Sequence, residues 1–431
     1  MDVINIGIIG FGTVGAGVAE CIINNADIIC KRVGFKPVVK RIADLDITTD
    51  RGITVPEGVL TTNAEDIFND PDISIVVELV GGTTIAKTFI LKALNAKKSV
   101  VTANKALLAH HGEELFAAAK ANGVDLWFEA SVGGGIPCIK ALREGLAANH
   151  IIEIFGILNG TCNYILTHME QEKAHFADVL AAAQKAGYAE ANPSLDVDGF
   201  DTAHTCAILA SLAYGHWFSA DDVDTEGIRS VTPQDLETAA SLGYRIKLLA
   251  VIKENHKQIQ LGVHPVLVPL SSLIGNVNDV FNAVWIKGDV VGNTMYYGRG
   301  AGRQATSSAV VADIIDCGIN QRNGCLRRVP SFTPYEGYGK LMPRGEETTR
   351  FYIRLQVEDK PGVLAKVASI LGTHNINIAA ASQRAEGLPS VSMIIQTHKA
   401  KAAELMSAMS EIEKTGVCCE KPVVFRIEDL A

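Results

Sequence analysis

The sequence predicts an α/β protein with three domains, and three observations support this prediction. The first third alternates short strand-like segments such as "INIGII" and "ISIVVELV" with amphipathic helical segments, which is typical of βαβ units and a parallel sheet. From about residue 130, longer β-rich runs mixed with helices indicate a mostly antiparallel sheet with helices on one face. After residue 349 the order strand, helix, strand, strand, helix, strand is that of a ferredoxin-like module.

These patterns place the domain boundaries. We predict a Rossmann-type dinucleotide-binding domain at 1–130, completed by about 300–318, and an α+β substrate and dimerisation domain at 131–300. Residues 319–349 are rich in proline, glycine and charge and are predicted to be a linker, and 350–431 form the last module. A chain of 431 residues fits about three domains.

Composition favours a cytoplasmic protein that acts on small molecules. The net charge of −9, without a basic run, argues against a nucleic-acid partner. No apolar run reaches the roughly 18 to 20 residues of a bilayer span, and the first residues lack the basic flank of a signal peptide, so we expect no membrane partner. Nine cysteines without a C-x-x-C pair are expected to be reduced, mostly buried thiols.

A glycine-rich turn follows the first strand. Gly10, Gly12 and Gly15 form G-x-G-x-x-G at a strand-to-helix junction. Glycines there permit the tight turn, the approach of a pyrophosphate and close helix packing, while the helix N-terminus stabilises phosphate charge. The turn therefore predicts a dinucleotide site.

The choice between NAD and NADP stays open. The acidic residue expected about 20 positions beyond the glycines falls late, at Asp44 or Asp46, and follows Lys40 and Arg41. Asp44 could accept the ribose hydroxyls of NAD, whereas Arg41 could bind the 2′-phosphate of NADP.

Lys105 is the candidate catalytic cation. "TANKALLA" places Asn104 and Lys105 directly after a strand, and the carboxyl ends of parallel strands face the ligand crevice. Hydride addition to an aldehyde builds negative charge on oxygen, which an ammonium stabilises. A solvated lysine is the alternative, but a cation at a helix start opposes the helix dipole.

A second glycine-rich turn, "GRGAGR", precedes a later helical segment and is either a ligand-binding turn or a loop. We predict that the nucleotide contacts the following residues of these turns and strand ends: Gly10, Gly12, Thr13, Val14, Gly15, Arg41, Asp44, Gly81, Asn104, Lys105 and Gly300.

An acidic cluster lies in "NPSLDVDGFDTAHTCAIL", residues 192–209. Carboxylates at a helix start can simply cap its N–H groups. Capping does not explain all of Glu190, Asp196 and Asp201, which we expect to converge on a cationic group such as a substrate ammonium, because charge-assisted hydrogen bonds are about twice as strong as neutral ones.

The chain resembles homoserine dehydrogenases along nearly its whole length. The resemblance rests on "GIIGFGTVGAGV", "TANKALLA", "ASVGGGIP", "ILNGTCNYIL" and "AGYAEANPSLDVDGFDTAHTCAIL". The C-terminal "VEDKPGVLAKVASILGTHNINI" resembles an ACT domain, a regulatory module that binds small molecules.

The resemblance implies reversible NADPH- or NADH-dependent reduction of L-aspartate 4-semialdehyde to L-homoserine, in threonine and methionine biosynthesis. It implies that Lys105 acts on the carbonyl oxygen and that the substrate is surrounded by Thr161, Glu190, Asp196 and Asp201. It also implies a monovalent cation (Na⁺ or K⁺) on the carbonyls of Glu129, Val132, Gly134 and Ile136.

Position 205 departs from the family pattern. Where relatives have D-x-A-H-K, this chain has "DTAHT", so Thr205 replaces a lysine commonly given the proton-transfer role. A threonine hydroxyl lacks that charge and does not readily exchange a proton near neutral pH. Either Lys105 serves with ordered water, or turnover is reduced.

Two alternative functions stay open for the whole protein: a non-catalytic sensor of nucleotide and amino acid, or a related dehydrogenase with another substrate. A smaller departure is "GGTTIA" at 81–86, where the family tends to have Glu-Pro.

For the last module the resemblance implies an amino-acid effector, L-threonine, bound at Asp359, Gly362 and Asn375. Asp359 before Pro361 could instead be a helix cap. Paired modules would make the protein a homodimer or homotetramer.

Overall fold

The computed structural model describes residues 2–337, 339–383 and 390–430. Residue 338 of the predicted linker, and residues 384–389 and 431 of the predicted last module, lie outside this part of the chain. The chain divides into two compact units, one made of 1–158, 203–223 and 281–339 and the other of 159–202, 224–280 and 340–431. Each unit is described by itself.

The elements follow in chain order. The first group comprises β1 Asp2–Ile9, α1 Thr13–Val33, β2 Phe35–Ala43, β3 Leu60–Thr61, α2 Glu65–Phe68, β4 Ile73–Glu78, α3 Ile85–Asn95, β5 Ser99–Thr102, α4 Lys105–Asn122, β6 Leu126–Trp127, α5 Cys138–Lys140 and β7 Ile151–Ile157. The second comprises α6 Gly160–Glu172, α7 Phe176–Lys185, α8 Ser194–Val197, α9 Phe200–Tyr214, β8 Asp224–Thr225, α10 Pro233–Ser241, β9 Tyr244–Asn255, β10 Gln258–Pro269, β11 Phe281–Gly288, β12 Gly292–Arg299 and α11 Arg303–Arg322. The third comprises β13 Lys340–Leu341, β14 Thr348–Glu358, α12 Val363–Thr373, β15 Ile378–Gln383, β16 Ser390–Thr397, β17 Ala400–Lys401, α13 Ala402–Lys414 and β18 Val423–Ile427.

A six-stranded parallel sheet is the centre of the first unit. Its order is β3-β2-β1-β4-β5-β6, which is the order of a Rossmann-type fold. The second half of β1, nearly all of β4 and all of β5 are buried, as expected of a parallel sheet that helices cover on both faces. The parallel sheet predicted from the alternating pattern is confirmed.

Helix α11 packs against α1 in this unit. A Cβ at Gly17 of α1 would lie only 2.4 Å from Oγ of Ser307, so the glycine permits the close approach of the two helices. The Ser307 hydroxyl donates to the Val14 carbonyl at 3.3 Å. Strands β7, β11 and β12 of the same unit pair antiparallel.

Part of the predicted linker is packed on the first unit. The hydroxyl of Tyr335 donates to the carbonyl of Ala213 at 2.5 Å, and Phe332 packs edge to face on Trp217, with ring centroids 5.0 Å apart. Helix α11 continues to residue 322, and β13 begins at 340. The segment without a helix or strand is therefore 323–339, of which residue 338 is not described.

A long hairpin joined to a second sheet forms the other unit. Strands β9 and β10 pair antiparallel over their whole length. Strand β10 then pairs in parallel with β18, and the order continues as β18-β14-β16-β15. This is the ferredoxin-like order expected of the last module, so that prediction is confirmed.

The two faces of this last sheet have different neighbours. Phe351, Ile353 and Leu355 face the apolar core under α12 and α13. On the opposite face the Arg354 guanidinium makes two hydrogen bonds to the buried Asp235 carboxylate of α10, at 2.7 and 3.2 Å. This last sheet is therefore joined to the rest of the unit by β10–β18 pairing and by a buried ion pair.

No helix within 2–337, 339–383 and 390–430 is long and apolar enough to cross a bilayer. All nine cysteines are free thiols, and Cys138, Cys162, Cys206 and Cys317 are buried.

Candidate active site

The glycine turn after β1 has the geometry of a phosphate-binding turn. Gly10 has φ +102°, and a Cβ at Gly15 would lie 1.9 Å from the Gly10 carbonyl oxygen, so neither position tolerates a side chain. A Cβ at Gly12, in contrast, would meet open space. Among the described residues no side chain caps α1 at Gly12, so the amides of Thr13 and Val14 begin the helix without a capping acceptor. The residues fit a dinucleotide pyrophosphate at this helix N-terminus.

Asp44 lies at this turn. Its carboxylate accepts hydrogen bonds from the amides of Phe11 and, at 2.8 Å, Asp46. The Arg41 guanidinium donates to the carbonyl of Gly58. A carboxylate has about four acceptor positions, so Asp44 retains capacity for a ribose hydroxyl while it holds the turn.

Glu78 organises the ends of β4 and β5. It is fully buried, and its Oε1 accepts from the amides of Val80 at 2.8 Å and Gly81 at 3.2 Å. Its Oε2 accepts from the hydroxyl of Thr102 at 2.7 Å. The carboxylate therefore fixes the loop that contains Gly81, one of the predicted nucleotide contacts.

Asn104 fixes the start of α4 and thus the place of Lys105. Its amide N–H donates to Oγ1 of Thr102 at 3.1 Å, and its side-chain Nδ2 donates to the Gly82 carbonyl at 2.7 Å. Its Oδ1 caps α4 by accepting from the Leu107 amide at 3.1 Å. Lys105 is the first residue of α4, at the carboxyl edge of the parallel sheet where the glycine turn also lies.

Two of the predicted substrate acids lie side by side in the second unit. Nδ2 of Asn159 donates to Oδ1 of Asp196 at 2.8 Å and to Oδ2 of Asp201 at 3.0 Å. Oδ1 of Asn159 caps α6 by accepting from the Cys162 amide at 2.8 Å. The Asp196 carboxylate is therefore bound to a side-chain amide and is not the N-cap of α8, whose N-cap position is occupied by Pro193.

The other acidic residues of this segment are placed differently. The Oγ1 of Thr161 donates to the Tyr188 carbonyl at 2.7 Å, close in sequence to Glu190, whose side chain is exposed. Asp198 forms an ion pair with Arg229. The structure thus brings Asp196 and Asp201 together, leaves Glu190 at the surface and assigns Asp198 to a salt bridge.

Thr205 is buried in α9, in the part of that helix that belongs to the first unit. The neighbouring His204 packs edge to face on His110 of α4, with ring centroids 5.4 Å apart. This half of α9 therefore contacts, at His204, the helix that begins at Lys105.

Glu129 begins a buried loop in the first unit. Its two carboxylate oxygens accept from the amides of Ile139 and Lys140, both at 2.8 Å. Burial raises the pKa of Glu129 to about 7, although the two amides and Arg143 act in the opposite direction. Its side chain thus binds the start of α5, and its main-chain carbonyl, the group predicted to bind the cation, accepts from the Val132 amide at 3.3 Å.

The other carbonyls predicted to bind a cation lie in the same loop. Val132 O accepts from the Cys138 thiol at 3.5 Å, and Ile136 O accepts from the Cys138 amide at 2.8 Å. Gly134 has φ +56°, and a Cβ there would lie 2.2 Å from the Gly300 carbonyl oxygen. Since each carbonyl has two lone pairs, these oxygens can still bind a cation. Gly300 packs against this loop, in the turn between β12 and α11.

The turn before α12 shows whether Asp359 caps that helix, one of the two roles predicted for it. Helix α12 begins at Val363, and its N-cap is Gly362, with φ +90° and no side-chain cap among the described residues. Asp359 is exposed and three residues too early to cap the helix, so the capping alternative is wrong. Asn375, with φ +60°, follows the end of α12.

Sequence reasoning missed Asn159, Glu78 and Thr102. Asn159 and its partners Asp196 and Asp201 are 37 and 42 residues apart, so no local pattern predicts the contact. A signal did exist for Glu78, because a carboxylate that ends an apolar strand must find donors.

Family models match most of the chain. Residues 10–129 match the NAD binding domain of homoserine dehydrogenase, 137–315 match the homoserine dehydrogenase domain, and 351–416 match the ACT domain. The chain is 42% identical over 435 residues to a homoserine dehydrogenase of Neisseria gonorrhoeae, with all of both chains covered. It is 43% identical over 439 residues to a homoserine dehydrogenase of Pseudomonas aeruginosa, also with all of both chains covered.

The chain belongs to the homoserine dehydrogenase family.

Solved homoserine dehydrogenases have the same fold. The crystal structure of a homoserine dehydrogenase from Thiobacillus denitrificans matches with a TM-score of 0.95 and 42% identity, over 100% of this chain and 99% of that chain. A hyperthermophilic archaeal homoserine dehydrogenase in complex with NADPH matches with a TM-score of 0.63 and 27% identity, over 74% of this chain and 98% of that one. The chain is therefore an NAD(P)-binding oxidoreductase of this family with an additional ACT domain.

Proposed function

We propose that this family member interconverts L-homoserine and L-aspartate 4-semialdehyde with NADP or NAD. The observation that supports this most directly is the pairing of Asp196 with Asp201 through Asn159, because two adjacent carboxylates are suited to the ammonium of an amino acid. The sensor alternative is not favoured, since the full-length relatives are named dehydrogenases.

Each residue has a proposed role. Asp196 and Asp201 bind the substrate ammonium, with Thr161 and Glu190 at the edge of the same site. Lys105 stabilises charge on the substrate oxygen: the hydroxyl loses its proton as homoserine is oxidised, and the oxygen of the aldehyde accumulates negative charge as it is reduced. Thr205 is uncharged and cannot stabilise the negative charge in this way, so we assign the transfer of the hydroxyl proton to Lys105 and ordered water.

The nucleotide, when bound, supplies or accepts the hydride. We propose that it contacts Gly12, Thr13 and Val14 at the start of α1 and Asp44 at the end of β2. Gly81, Asn104 and Gly300 would contact it at neighbouring turns, and Arg41 would meet a 2′-phosphate. A monovalent cation would bind main-chain carbonyls of the 129–136 loop and hold it against the Gly300 turn.

The ACT domain supports regulation by an amino acid, and we propose L-threonine, bound near Asp359, Gly362 and Asn375. We further propose a homodimer or homotetramer with paired ACT domains. Nine free thiols suit a reducing compartment and support a cytoplasmic location.

A spectrophotometric assay tests the activity. Purified protein with homoserine and NADP or NAD should produce reduced nicotinamide, and a panel of related hydroxy amino acids should produce less. Failure with both nucleotides at every pH would contradict the proposal, and a faster reaction with another substrate would reassign it.

A further inference from the structure

Arg426 connects the regulatory sheet with the segment that supports the substrate acids. It lies on β18, opposite Val266 of β10, and its side chain is only 13% exposed. Its guanidinium donates to Glu347 at 3.0 Å and to Asp224 at 3.4 Å, and it lies 4.0 Å from Glu226. One arginine of β18 thus binds three carboxylates.

The residues that follow Asp224 are packed against α8. The Ile228 amide donates to the Val197 carbonyl at 2.8 Å. A Cβ at Gly227 would lie 2.1 Å from the same carbonyl oxygen, so the backbone there is as close to α8 as a glycine permits. A displacement of Glu226 therefore moves the support of Val197, which directly follows Asp196.

Thr225 supports the next turn. A Cβ at Gly199, which has φ +89°, would lie 3.0 Å from Cγ2 of Thr225. Gly199 lies two residues before Asp201. The residues of β8 and those that follow it thus contact Val197 and Gly199, which lie between the two aspartates that Asn159 holds together.

Charge explains why an arginine is needed at position 426. Asp224, Glu226 and Glu347 are like charges close together, and burial together with Asp224 raises the pKa of Glu226 while Arg426 lowers it. Removal of the guanidinium leaves the buried Glu347 carboxylate, which is 9% exposed, unpaired beside Asp224 and Glu226, which are 39% and 46% exposed, so the repulsion among the three is partly screened by water. The repulsion acts on Asp224 and Glu226, the two residues that flank Thr225.

We propose that Arg426 is a positioning residue: through Asp224 and Glu226 it holds the 224–228 segment against α8, so the ACT sheet controls the geometry of Asp196 and Asp201 and hence the KM for homoserine. This inference rests on the proposed function of the two aspartates. Because the contacts lead to the substrate acids, changes in the ACT sheet should alter the KM for homoserine and leave the KM for the nucleotide unchanged.

Steady-state kinetics of full-length variants test this proposal. Arg426→Ala should raise the KM for homoserine about tenfold, with the KM for the nucleotide unchanged, because small displacements of binding groups have large effects. Arg350→Ala is the matched control, since Arg350 is also an arginine of this sheet, on β14, and donates to Asp429 and Tyr244. Arg426→Lys retains the charge and should show a smaller rise. An unchanged KM for homoserine, or equal effects of Arg426→Ala and Arg350→Ala, overturns the inference.

Hydrogen exchange gives a readout that does not depend on catalysis. A peptide covering 224–230 should exchange at least several-fold faster in Arg426→Ala than in the wild type or in Arg350→Ala, because the Ile228 amide loses its packed position. Unchanged exchange overturns the inference even if the wild type oxidises homoserine. If the wild type has no activity but exchange is faster in Arg426→Ala, the result would count against the proposed function. It would still support the contacts from Arg426 through residues 224–228 to α8. Should Arg426→Ala fail to fold, Arg426→Lys is measured by both methods, and identity with the wild type in both overturns the inference.

Discussion

Asn159 donates a hydrogen bond to Asp201 at 3.0 Å, and the same side-chain nitrogen reaches Asp196. One neutral amide therefore holds together two carboxylates that would otherwise repel each other. Because the amide is neutral, the two carboxylates keep their negative charge, which a bound ammonium would neutralise.

Asn159→Ala should raise the KM for homoserine by about tenfold or more, because hydrogen bonds to charged groups contribute about 1.5–3 kcal/mol. Asn159→Ser is the matched control for stability, since serine still caps α6 but cannot donate to both aspartates. We expect Asn159→Ser to melt below the wild type but above Asn159→Ala, because it keeps the cap of α6, and still to bind homoserine weakly. A KM for homoserine like that of the wild type in both variants would exclude the aspartate pair as the ammonium site.

Lys105→Met should lower kcat about 100-fold with a smaller change in KM, because the ammonium stabilises charge that is largest in the transition state. Lys120→Met is the control, as Lys120 lies in the last turn of the same helix. Initial rates at saturating homoserine decide the question. If both variants turn over at the wild-type rate, Lys105 is not catalytic.

Thr205→Lys should raise kcat by an order of magnitude or more, since it restores a group that can carry a proton near the reacting oxygen. Thr205 is only 1% exposed, so the new lysine will cost stability. Thr202→Lys, at an equally buried threonine three residues earlier, should lower the melting temperature without a gain in rate. Unchanged or lower kcat in Thr205→Lys would show that the threonine does more than remove the proton-transfer group that a lysine would supply.

Glu129 should make stability depend on pH. Burial raises its pKa in the folded state from 4.5 to about 7, so the folded protein holds the proton more tightly than the unfolded chain. Its contribution is therefore fully present below about pH 4.5 and is lost as the pH rises through about 7. The free energy of unfolding of the wild type relative to Glu129→Gln should fall by about 2 kcal/mol between about pH 5 and 8. Urea titrations at both pH values that give the same difference would show that its pKa is not raised.

Asp44→Ala should raise the KM for NAD more than that for NADP. Both values should rise because the carboxylate accepts the Phe11 amide within the glycine turn. The rise should be larger for NAD because a carboxylate binds ribose hydroxyls but repels a 2′-phosphate. Equal changes in both KM values would show that Asp44 only supports the turn.

Local sequence patterns predicted the elements but not the contacts between distant segments. The G-x-G-x-x-G turn and the final βαββαβ order are local, because a glycine turn and an alternation of strand and helix each depend on neighbouring residues. The contacts of Asn159 with Asp201, and of Arg426 with Asp224, join positions 42 and 202 residues apart. The first contact depends on how the start of α6 meets the start of α9, and the second on how β8 and β18 pair with β10, so no single stretch of sequence encodes either.

Asp359 illustrates the opposite error. A carboxylate before Pro361 has the sequence of a helix cap, but Gly362 in a left-handed conformation delays the start of α12 to Val363. Glu78 is a residue that the sequence patterns did not single out. A buried carboxylate at a strand end needs hydrogen-bond donors, and Glu78 finds them in the Thr102 hydroxyl and the amides of residues 80 and 81.

The transfer of isotope tests the central claim most directly. Homoserine dideuterated at its hydroxymethyl carbon should be incubated with the purified protein and NADP or NAD, and the reduced nucleotide analysed by mass spectrometry. We predict one deuterium on the nicotinamide ring for each semialdehyde formed, and an approximately 100-fold slower transfer in Lys105→Met. Reduced nucleotide without deuterium, or no transfer with either nucleotide, would contradict hydride transfer from homoserine.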